Sequence, residues 1–260
     1  MTLAKWRQQL REQLAASETA AIDADVLLCH VLAKPRSFLL AWPEYELTEA
    51  EQSQLEDLAQ RRQKGEPIAH VIGEREFWSL PLAVSAATLI PRPDTELLVE
   101  AALARLPDRP ATLVDLGTGT GAIALALKSE RPQDQVLAVE FNSDAVALAQ
   151  YNSERLCLPI EVRHGSWFTP LDALRFDMIV ANPPYIDATD PHLHQGDLRF
   201  EPASALIAEQ AGMADLRYLI THAPHYLYPH GYLLLEHGWQ QGDLVQASFI
   251  EAGYQGVVTL

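Results

Sequence analysis

The stretch of sequence that decides the fold is residues 112–127, which read TLVDLGTGTGAIALAL. Its first five residues are mostly apolar and predict a buried strand, and the alanine- and leucine-rich residues 122–129 predict a helix. Between them stand Gly117, Gly119 and Gly121. Glycines let the backbone turn sharply and let a ligand approach without a Cβ in the way, beside the free N–H groups of a helix start. The stretch therefore predicts a ligand-binding turn.

An acidic residue follows this turn at an informative distance. Glu140 stands nineteen residues after Gly121, at the end of the next predicted strand, residues 136–140. A carboxylate there can accept hydrogen bonds from both hydroxyls of a ribose. Asp115 has two interpretations: it accepts hydrogen bonds from loop N–H groups, or it helps to place an ammonium group of the ligand. The alternative for the whole turn is that its glycines serve packing alone.

Strand and helix patterns alternate through the second part of the chain. Helices are predicted at residues 122–129 and 143–156. Strands are predicted at residues 112–116, 136–140, 160–164, 178–181, 232–236 and 257–260. Strands that alternate with helices indicate an α/β fold with a parallel sheet covered on both faces, in which ligands bind at the carboxyl ends of the strands.

The first part of the chain predicts helices only. Leu3, Trp6, Leu10 and Leu14 recur at helical spacing, and Thr48 with Glu51 has the spacing of a capping box. We expect three segments: a small helical bundle in residues 1–74, a β-hairpin linker in residues 75–90 and an α/β domain in residues 91–260. Helices this short are marginal alone, so the bundle must pack as a unit, with a docking or structural role.

The most specific motif is Asn182-Pro183-Pro184-Tyr185, directly after the fourth predicted strand. A planar amide or amine nitrogen is a weak nucleophile because its lone pair is delocalised. Two acceptors, the Asn182 side-chain oxygen and the Pro183 carbonyl, can hold its N–H bonds, and the consecutive prolines keep that carbonyl rigid. Tyr185 offers a flat face to the substrate plane. The alternative is a proline-rich turn without function.

Two further segments belong to the same predicted edge of the sheet. Trp167, after the third strand, either stacks on a nucleobase or is a core aromatic residue. The polar stretch between Tyr185 and Pro202 is interpreted as a solvated lid over the pocket, with a metal site as the less favoured alternative. Its polar side chains are those of Asp187, Asp190, His192, His194, Gln195 and Asp197.

Composition restricts the function further. The formal net charge of -16 disfavours a grip on bare nucleic acid, which usually needs a basic face, and fits a basic protein partner better. No apolar run reaches the roughly 18 residues of a membrane span, and the N-terminus lacks the apolar core of a secretory signal, so we expect a cytoplasmic protein without a membrane partner. Cys29 and Cys157 are predicted to be buried thiols rather than metal ligands.

These residues together resemble the protein-(glutamine-N5) methyltransferase family of the PrmC/HemK type, which modifies class I peptide release factors. The Gly-x-Gly-x-Gly turn preceded by Asp115 is similar to the cofactor loop of seven-strand methyltransferases. Asn182-Pro183-Pro184-Tyr185 is shared with adenine-N6 methyltransferases. More specific are residues 89–96, Leu-Ile-Pro-Arg-Pro-Asp-Thr-Glu, and residues 199–202, Arg-Phe-Glu-Pro.

The resemblance implies a fold, a reaction and a site. The fold is a Rossmann-like, seven-strand-type domain that uses S-adenosylmethionine, behind an N-terminal helical bundle that docks the substrate. The product is S-adenosylhomocysteine, no metal takes part, and the substrate is the glutamine of the Gly-Gly-Gln loop. Asn182, Pro183, Pro184 and Tyr185 are implied to bind that glutamine, with Asn182, Pro183 and Tyr185 catalytic. The implied cofactor-binding residues are Gly117, Thr118, Gly119, Thr120, Gly121, Glu140, Trp167 and Asn182.

Two departures and three alternatives accompany the resemblance. Ser166 stands where the family often has an acidic residue, and the family fold has a further antiparallel strand that would follow Leu260. The same motifs also fit an adenine-N6 methyltransferase of DNA or RNA, a glutamine methyltransferase of a ribosomal protein, or a non-catalytic protein that only binds the cofactor. The net charge disfavours direct nucleic-acid binding, and nothing in the sequence demands more than a monomer.

Overall fold

The computed structural model describes residues 1–260, except for the side chain of His194. The chain divides into two compact units. The first consists of Met1–Glu74 and Gln195–Phe200, and the second of Arg75–His194 and Glu201–Leu260. No helix in the described part of the chain is both long and apolar enough to cross a membrane.

The first unit is a bundle of short helices. Its helices are α1 (Leu3–Gln13), α2 (Ala20–Leu32), α3 (Arg36–Ala41), α4 (Glu49–Gln63) and α5 (Ile68–Ile72). The helical spacing of Leu3, Trp6 and Leu10 places all three on the buried face of α1, where they pack with Leu27 and Leu28 of α2. Burying each such side chain contributes roughly 1.5–3 kcal/mol, and this shared core holds together helices that would not persist alone.

Caps and ion pairs fix the ends of these helices. The predicted capping box at α4 is confirmed: Glu51 N–H donates to Thr48 Oγ1, and Thr48 N–H donates to Glu51 Oε2 over 2.7 Å. In α2, the buried Asp25 accepts from Arg7 and Arg36, which hold the pKa of its carboxyl below the usual range. A buried carboxylate needs such partners because an uncompensated charge in the interior is costly.

Residues 195–200 belong to this helical unit although they lie far along the chain. They form a 3-10 helix, Gly196–Phe200. One carboxyl oxygen of Asp197 lies 3.7 Å from Nη1 of Arg62 in α4. The Arg62 guanidinium also donates to the buried Asp23. The C-terminal part of the polar stretch is therefore packed with α4 in the described structure.

Next along the chain is a two-stranded sheet of β1 (Glu74–Phe77) and β2 (Leu80–Ala83), at the place where a hairpin is predicted. Trp78 and Ser79 join the strands with φ angles of 53° and 59°. Positive φ at both central residues is typical of the two-residue turn that matches strand twist. The Trp78 backbone N–H donates to Glu96, and its indole N–H donates to Glu130.

The main sheet has five described strands, all parallel, in the order β5-β4-β3-β6-β7. They are β3 (Thr112–Leu116), β4 (Gln135–Glu140), β5 (Glu161–His164), β6 (Phe176–Ala181) and β7 (Leu227–Leu235). The helices of this unit are α6 (Glu96–Leu103), α7 (Ala122–Glu130), α8 (Ser143–Arg155), the one-turn α9 (Glu209–Gly212), α10 (Ala214–His222) and α11 (Gly242–Glu251). Single 3-10 turns at Pro93–Thr95, Thr169–Leu171, Pro191–His194, Ala203–Ala205 and Ala223–His225 complete it. The predicted α/β class, parallel sheet and N-terminal helices are confirmed.

The sheet is buried on both faces, as the apolar strands predict. Along β3, Leu113 packs into a core with α6 and α7, whereas Val114 and Leu116 pack into the opposite core with β4, β6 and α10. Alternate residues of a strand point to opposite faces, so each side of β3 needs its own apolar cover. This double burial fixes the register in which Leu116 pairs with Val139 on one side and Ala181 on the other.

Two sequence predictions are wrong. Residues 257–260 form no strand, and Val258 and Leu260 are exposed. A β-branched segment becomes a strand only when a neighbour supplies a hydrogen-bonded ladder, and this segment pairs with none of the described strands. Cys157 is exposed rather than buried, because it follows α8 with a φ of 55° and leaves the packed helix face. Cys29 is half-buried.

Candidate active site

The glycine turn follows β3 at the carboxyl edge of the sheet. The N–H groups of Gly117 and Thr118 both donate to the Val139 carbonyl, over 2.8 and 3.0 Å, so the turn is fastened to the end of β4. Gly117 has a φ of 74° and Gly119 a φ of 56°. Residues with a Cβ rarely adopt these angles, which explains why glycines occur here.

Glu140 joins the same turn from the end of β4. Its Oε2 accepts the Gly119 N–H over 2.9 Å, and its Oε1 accepts the Asn142 N–H over 2.9 Å. The carboxylate is therefore oriented by two backbone donors. Each carboxylate oxygen has a second lone pair, so the group still has capacity to accept from ligand hydroxyls.

Asp115 lies beneath the turn and is fully enclosed. Thr118 Oγ1 donates to its Oδ2 over 2.5 Å and the Ala124 N–H donates to the same oxygen, which favours the loop-bonding interpretation of this residue. Its Oδ1 is buried and has no hydrogen-bond partner among the described atoms. Burial dominates over these hydrogen bonds and raises the pKa of Asp115 to about 7.

A cavity of about 300 Å³ opens at this edge. Its walls come from the second unit alone, from the ends of the central strands and from two loops. They include Phe77, Ala87, Thr88, Leu89, Pro91, Arg92, Thr95, Gly117, Thr118, Gly119, Thr120, Ala122, Ile123, Val139, Glu140, Phe141, Asn142, Gly165, Ser166, Trp167, Asn182, Pro184, Ser204, Ala205, Ile207 and Asp215.

Most of the residues predicted from the sequence lie in these walls. They are Gly117, Thr118, Gly119, Thr120, Glu140, Trp167, Asn182 and Pro184. Gly121, Pro183 and Tyr185 are not among the wall residues. Gly121 instead begins α7 with a φ of 85°, where a Cβ would lie 3.1 Å from Leu125 Cδ1, so the structure gives it a packing role.

Tyr185 is held by the neighbouring strand end. Its hydroxyl donates to Glu236 Oε1 over 3.1 Å, and the side chain packs beside the core of α10 and α11. Burial, together with the nearby Glu236 carboxylate, raises the pKa of Tyr185 above its usual value. The tyrosine is therefore a neutral hydrogen-bond donor in this position. Pro183 is buried next to it.

Trp167 covers one wall of the cavity, with a φ of 48°. A Cβ at Gly117 would lie 3.2 Å from Cζ3 of its ring, so the indole rests against the glycine turn. Burial raises the pKa of Asp215 of α10, while the proximity of the Trp167 indole N–H acts in the opposite direction. Ser166 lies in the same wall as Asp215.

Sequence reasoning gave no role to the wall built from residues 87–95 and 204–207. Arg92 Nη2 donates to Glu201 Oε2 over 2.6 Å, and the Ile90 N–H donates to Glu201 Oε1 over 2.9 Å. The Glu201 side chain is fully buried. Thr95 accepts a hydrogen bond from Asn182. The sequence signal for this wall was the pair of motifs at residues 89–96 and 199–202. The sequence alone does not show that these two motifs lie side by side.

The polar stretch contributes no described wall residue between Asp187 and His192. Asp187 bonds to Thr189, and Asp190 bonds to His192. His194 lies outside the described side chains. Among the described residues, no three His, Cys, Asp or Glu side chains lie close enough together to hold a metal ion. The lid role of this stretch stays a prediction.

The charges of the cavity indicate its ligand class. Among the described wall residues, Arg92 is the one cation, and Glu140 and Asp215 are acidic. Phosphate groups attract basic donor clusters, which this wall lacks, whereas a sulfonium nucleoside brings positive charge and ribose hydroxyls. The open space at Gly119, where a Cβ would approach Thr88 at 3.8 Å, permits close backbone approach. The residues therefore fit S-adenosylmethionine.

Fold and site define a class, the S-adenosylmethionine-dependent methyltransferases. A solved methyltransferase from Pyrococcus furiosus superposes with a TM-score of 0.53 at 17% identity, over 80% of this chain and 89% of that one. A SAM-dependent methyltransferase from Agrobacterium tumefaciens gives 0.51 at 14% identity, over 70% and 58%. The family model of the methyltransferase small domain matches residues 91–237. That of the PrmC N-terminal domain matches residues 5–73.

The chain belongs to the release factor glutamine methyltransferase family, as its resemblance to that family implied. It is 55% identical to the release factor glutamine methyltransferase of Escherichia coli K12, over 98% of this chain and 92% of that protein. It is 54% identical to those of Yersinia pestis, over 100% and 94%, and of Vibrio cholerae, over 95% and 87%.

Glu140→Ala is expected to weaken S-adenosylmethionine binding by about 1–3 kcal/mol, the scale of hydrogen bonds to a charged group. The change removes the acceptor proposed for the ribose hydroxyls and also frees the Gly119 N–H. Isothermal titration calorimetry measures the affinity, with the exposed Glu161→Ala as a matched control. Equal affinities of the two variants would remove Glu140 from the binding site.

Asp115 makes stability depend on pH. Its pKa is raised from 3.8 to about 7 in the folded protein, so the folded state binds the proton more tightly than the unfolded state between these values. The free energy of unfolding of the wild type, relative to that of Asp115→Asn, is therefore largest below pH 3.8. It declines as pH rises from there through about 7, by up to about 4 kcal/mol in total. Denaturant unfolding of both proteins across this window measures the difference. A difference independent of pH would contradict the assignment.

Proposed function

We propose that this protein transfers the methyl group of S-adenosylmethionine to the side-chain amide nitrogen, N5, of the glutamine in the Gly-Gly-Gln loop of class I peptide release factors, and thereby modulates translation termination. Family membership over nearly the full chain is the observation that carries the proposal. The position of Asn182 in the cavity wall, directly after β6, supports it.

The chain's own residues act by positioning. The Asn182 side-chain oxygen and the Pro183 carbonyl accept the two N–H bonds of the glutamine amide and hold its nitrogen in line with the methyl group. Tyr185, fixed by its bond to Glu236, packs on the plane of the glutamine amide. No base is needed before transfer: as the new C–N bond forms, the sulfonium C–S bond breaks, and the cationic nitrogen then loses a proton to water.

The cofactor pocket is proposed at the glycine turn. Residues 117–121 accommodate the methionine portion, Glu140 accepts from the ribose hydroxyls, and Trp167 flanks the adenine. S-adenosylmethionine supplies the activated methyl group, and S-adenosylhomocysteine leaves. Neither a metal nor a covalent enzyme intermediate has a role in this scheme.

The helical region, residues 1–74, is proposed to dock a second part of the release factor, while residues 75–90 link it to the methyltransferase domain, residues 91–260. The net charge of -16 supports a protein partner over direct nucleic-acid binding, because a phosphate backbone would be repelled. We propose that the enzyme acts as a monomer.

The decisive experiment is mass spectrometry of a purified release factor after incubation with the enzyme and S-adenosylmethionine. We expect a gain of one methyl group on the Gly-Gly-Gln glutamine and none when that glutamine is replaced. Methylation of a ribosomal protein or of adenine instead, with the release factor untouched, would overturn the proposal.

Asn182→Ala is expected to abolish turnover while cofactor affinity changes by no more than severalfold, because this side chain is proposed to hold the acceptor nitrogen. Single-turnover methylation and calorimetry separate the two effects. Near wild-type turnover in the variant would show that the carboxamide does not position the substrate.

A further inference from the structure

The side chain of Asn182 is held by Thr95, a neighbouring wall residue that has no assigned role. Asn182 Nδ2 donates to Thr95 Oγ1 over 3.1 Å. Thr95 is only 5% exposed. Both residues also line the cavity, so this bond lies at the place where the substrate amide is proposed to bind.

The orientation of a carboxamide decides what it offers to a substrate. One end of the group, Oδ1, only accepts hydrogen bonds, and the other end, Nδ2, only donates. A substrate amide nitrogen must be held by acceptors, because it carries N–H bonds. Asn182 can therefore hold the substrate nitrogen in only one of the two orientations of its carboxamide, the one with Oδ1 toward the substrate. Hydrogen bonds to bulk water favour neither orientation.

We propose that Thr95 is a positioning residue: its hydroxyl accepts from Nδ2 and holds the Asn182 carboxamide in the orientation seen in the structure, which leaves Oδ1 to accept from the acceptor nitrogen of the substrate. The inference rests on the proposed function for its consequence in catalysis. The orientation of Asn182 itself is a property of the protein without substrate.

Thr95 is itself rigidly held. It closes the 3-10 turn Pro93–Thr95, and its N–H donates to the Arg92 carbonyl over 3.2 Å. The Arg92 guanidinium bonds to the buried Glu201, which also accepts the Ile90 N–H. A continuous chain of contacts thus runs from Glu201 through Arg92 and Thr95 to Asn182. Fixed partners of this kind keep a functional side chain in one geometry.

The Thr95 hydroxyl is not used for a local purpose. Thr95 directly precedes α6, where a threonine side chain commonly caps the helix. Here it makes no cap hydrogen bond, since its φ of −65° and ψ of −18° are helical. The hydroxyl is therefore available to Asn182.

The kinetic test compares Thr95→Val, which keeps the shape of the side chain without the hydroxyl, with Thr95→Ser, which restores it. We expect Thr95→Val to lower kcat by about tenfold, the effect of one hydrogen bond, with an unchanged S-adenosylmethionine affinity and with recovery in Thr95→Ser. Thr112→Val is the matched control, because it removes a half-buried hydroxyl that donates to Asp177 at the opposite end of β3. Equal kcat in wild type and Thr95→Val would overturn the proposal.

A second measurement does not depend on the substrate. The side-chain N–H signals of Asn182, assigned by their loss in Asn182→Ala, are expected to exchange slowly with water in wild type and in Thr95→Ser, and quickly in Thr95→Val. Fast exchange in wild type would show that Nδ2 is not held by Thr95. If exchange follows this pattern while the release factor is not methylated, the proposed function fails and the positioning role stands.

Discussion

The parallel register of β3, β4 and β6 is the constraint on which the rest of this structure depends. Leu116 pairs with Val139 on one side and with Ala181 on the other. The residues at the carboxyl ends of these strands, Gly117, Glu140 and Asn182, therefore lie at one edge although they are widely separated in sequence. The register is in turn imposed by burial on both faces of β3, because a shift by one residue would exchange the side chains of its two cores.

At that edge, backbone donors and carboxylates organise each other. Glu140 accepts the Gly119 N–H, and the turn that contains Gly119 is tied by two further bonds to Val139. The acidic residue is thus part of the turn's structure as well as a candidate ligand for hydroxyl groups. Asp115 stabilises the turn from below with one oxygen, while its other oxygen stays buried without a partner among the described atoms. A carboxyl group in this environment holds its proton up to nearly neutral pH.

The motifs around Arg92, Asn182 and Glu201 form one connected structure, although Arg92 lies 90 residues before Asn182 and 109 before Glu201 in the sequence. Glu201 binds Arg92 and the Ile90 N–H, and Thr95 binds Asn182. A fully buried carboxylate is tolerated only because these partners compensate it. The consequence is a stiff wall, and positional catalysis of the proposed kind depends on such stiffness because it contains no strong acid, base or metal to compensate for a loose geometry.

The sequence by itself determined the fold class, the places of five of the six predicted strands, the capping of α4, and eight residues of the cavity wall. These are consequences of local periodicity and of the topological rule that strand ends share an edge. Only the tertiary structure decided that Tyr185 and Gly121 are not among the cavity-wall residues, that residues 257–260 form no strand and that Thr95 meets Asn182. Each of these depends on a partner distant in sequence, such as Glu236 for Tyr185, or on a ladder that no neighbour supplies. Local propensity carries no information about such partners, because packing and hydrogen bonding across the fold select them.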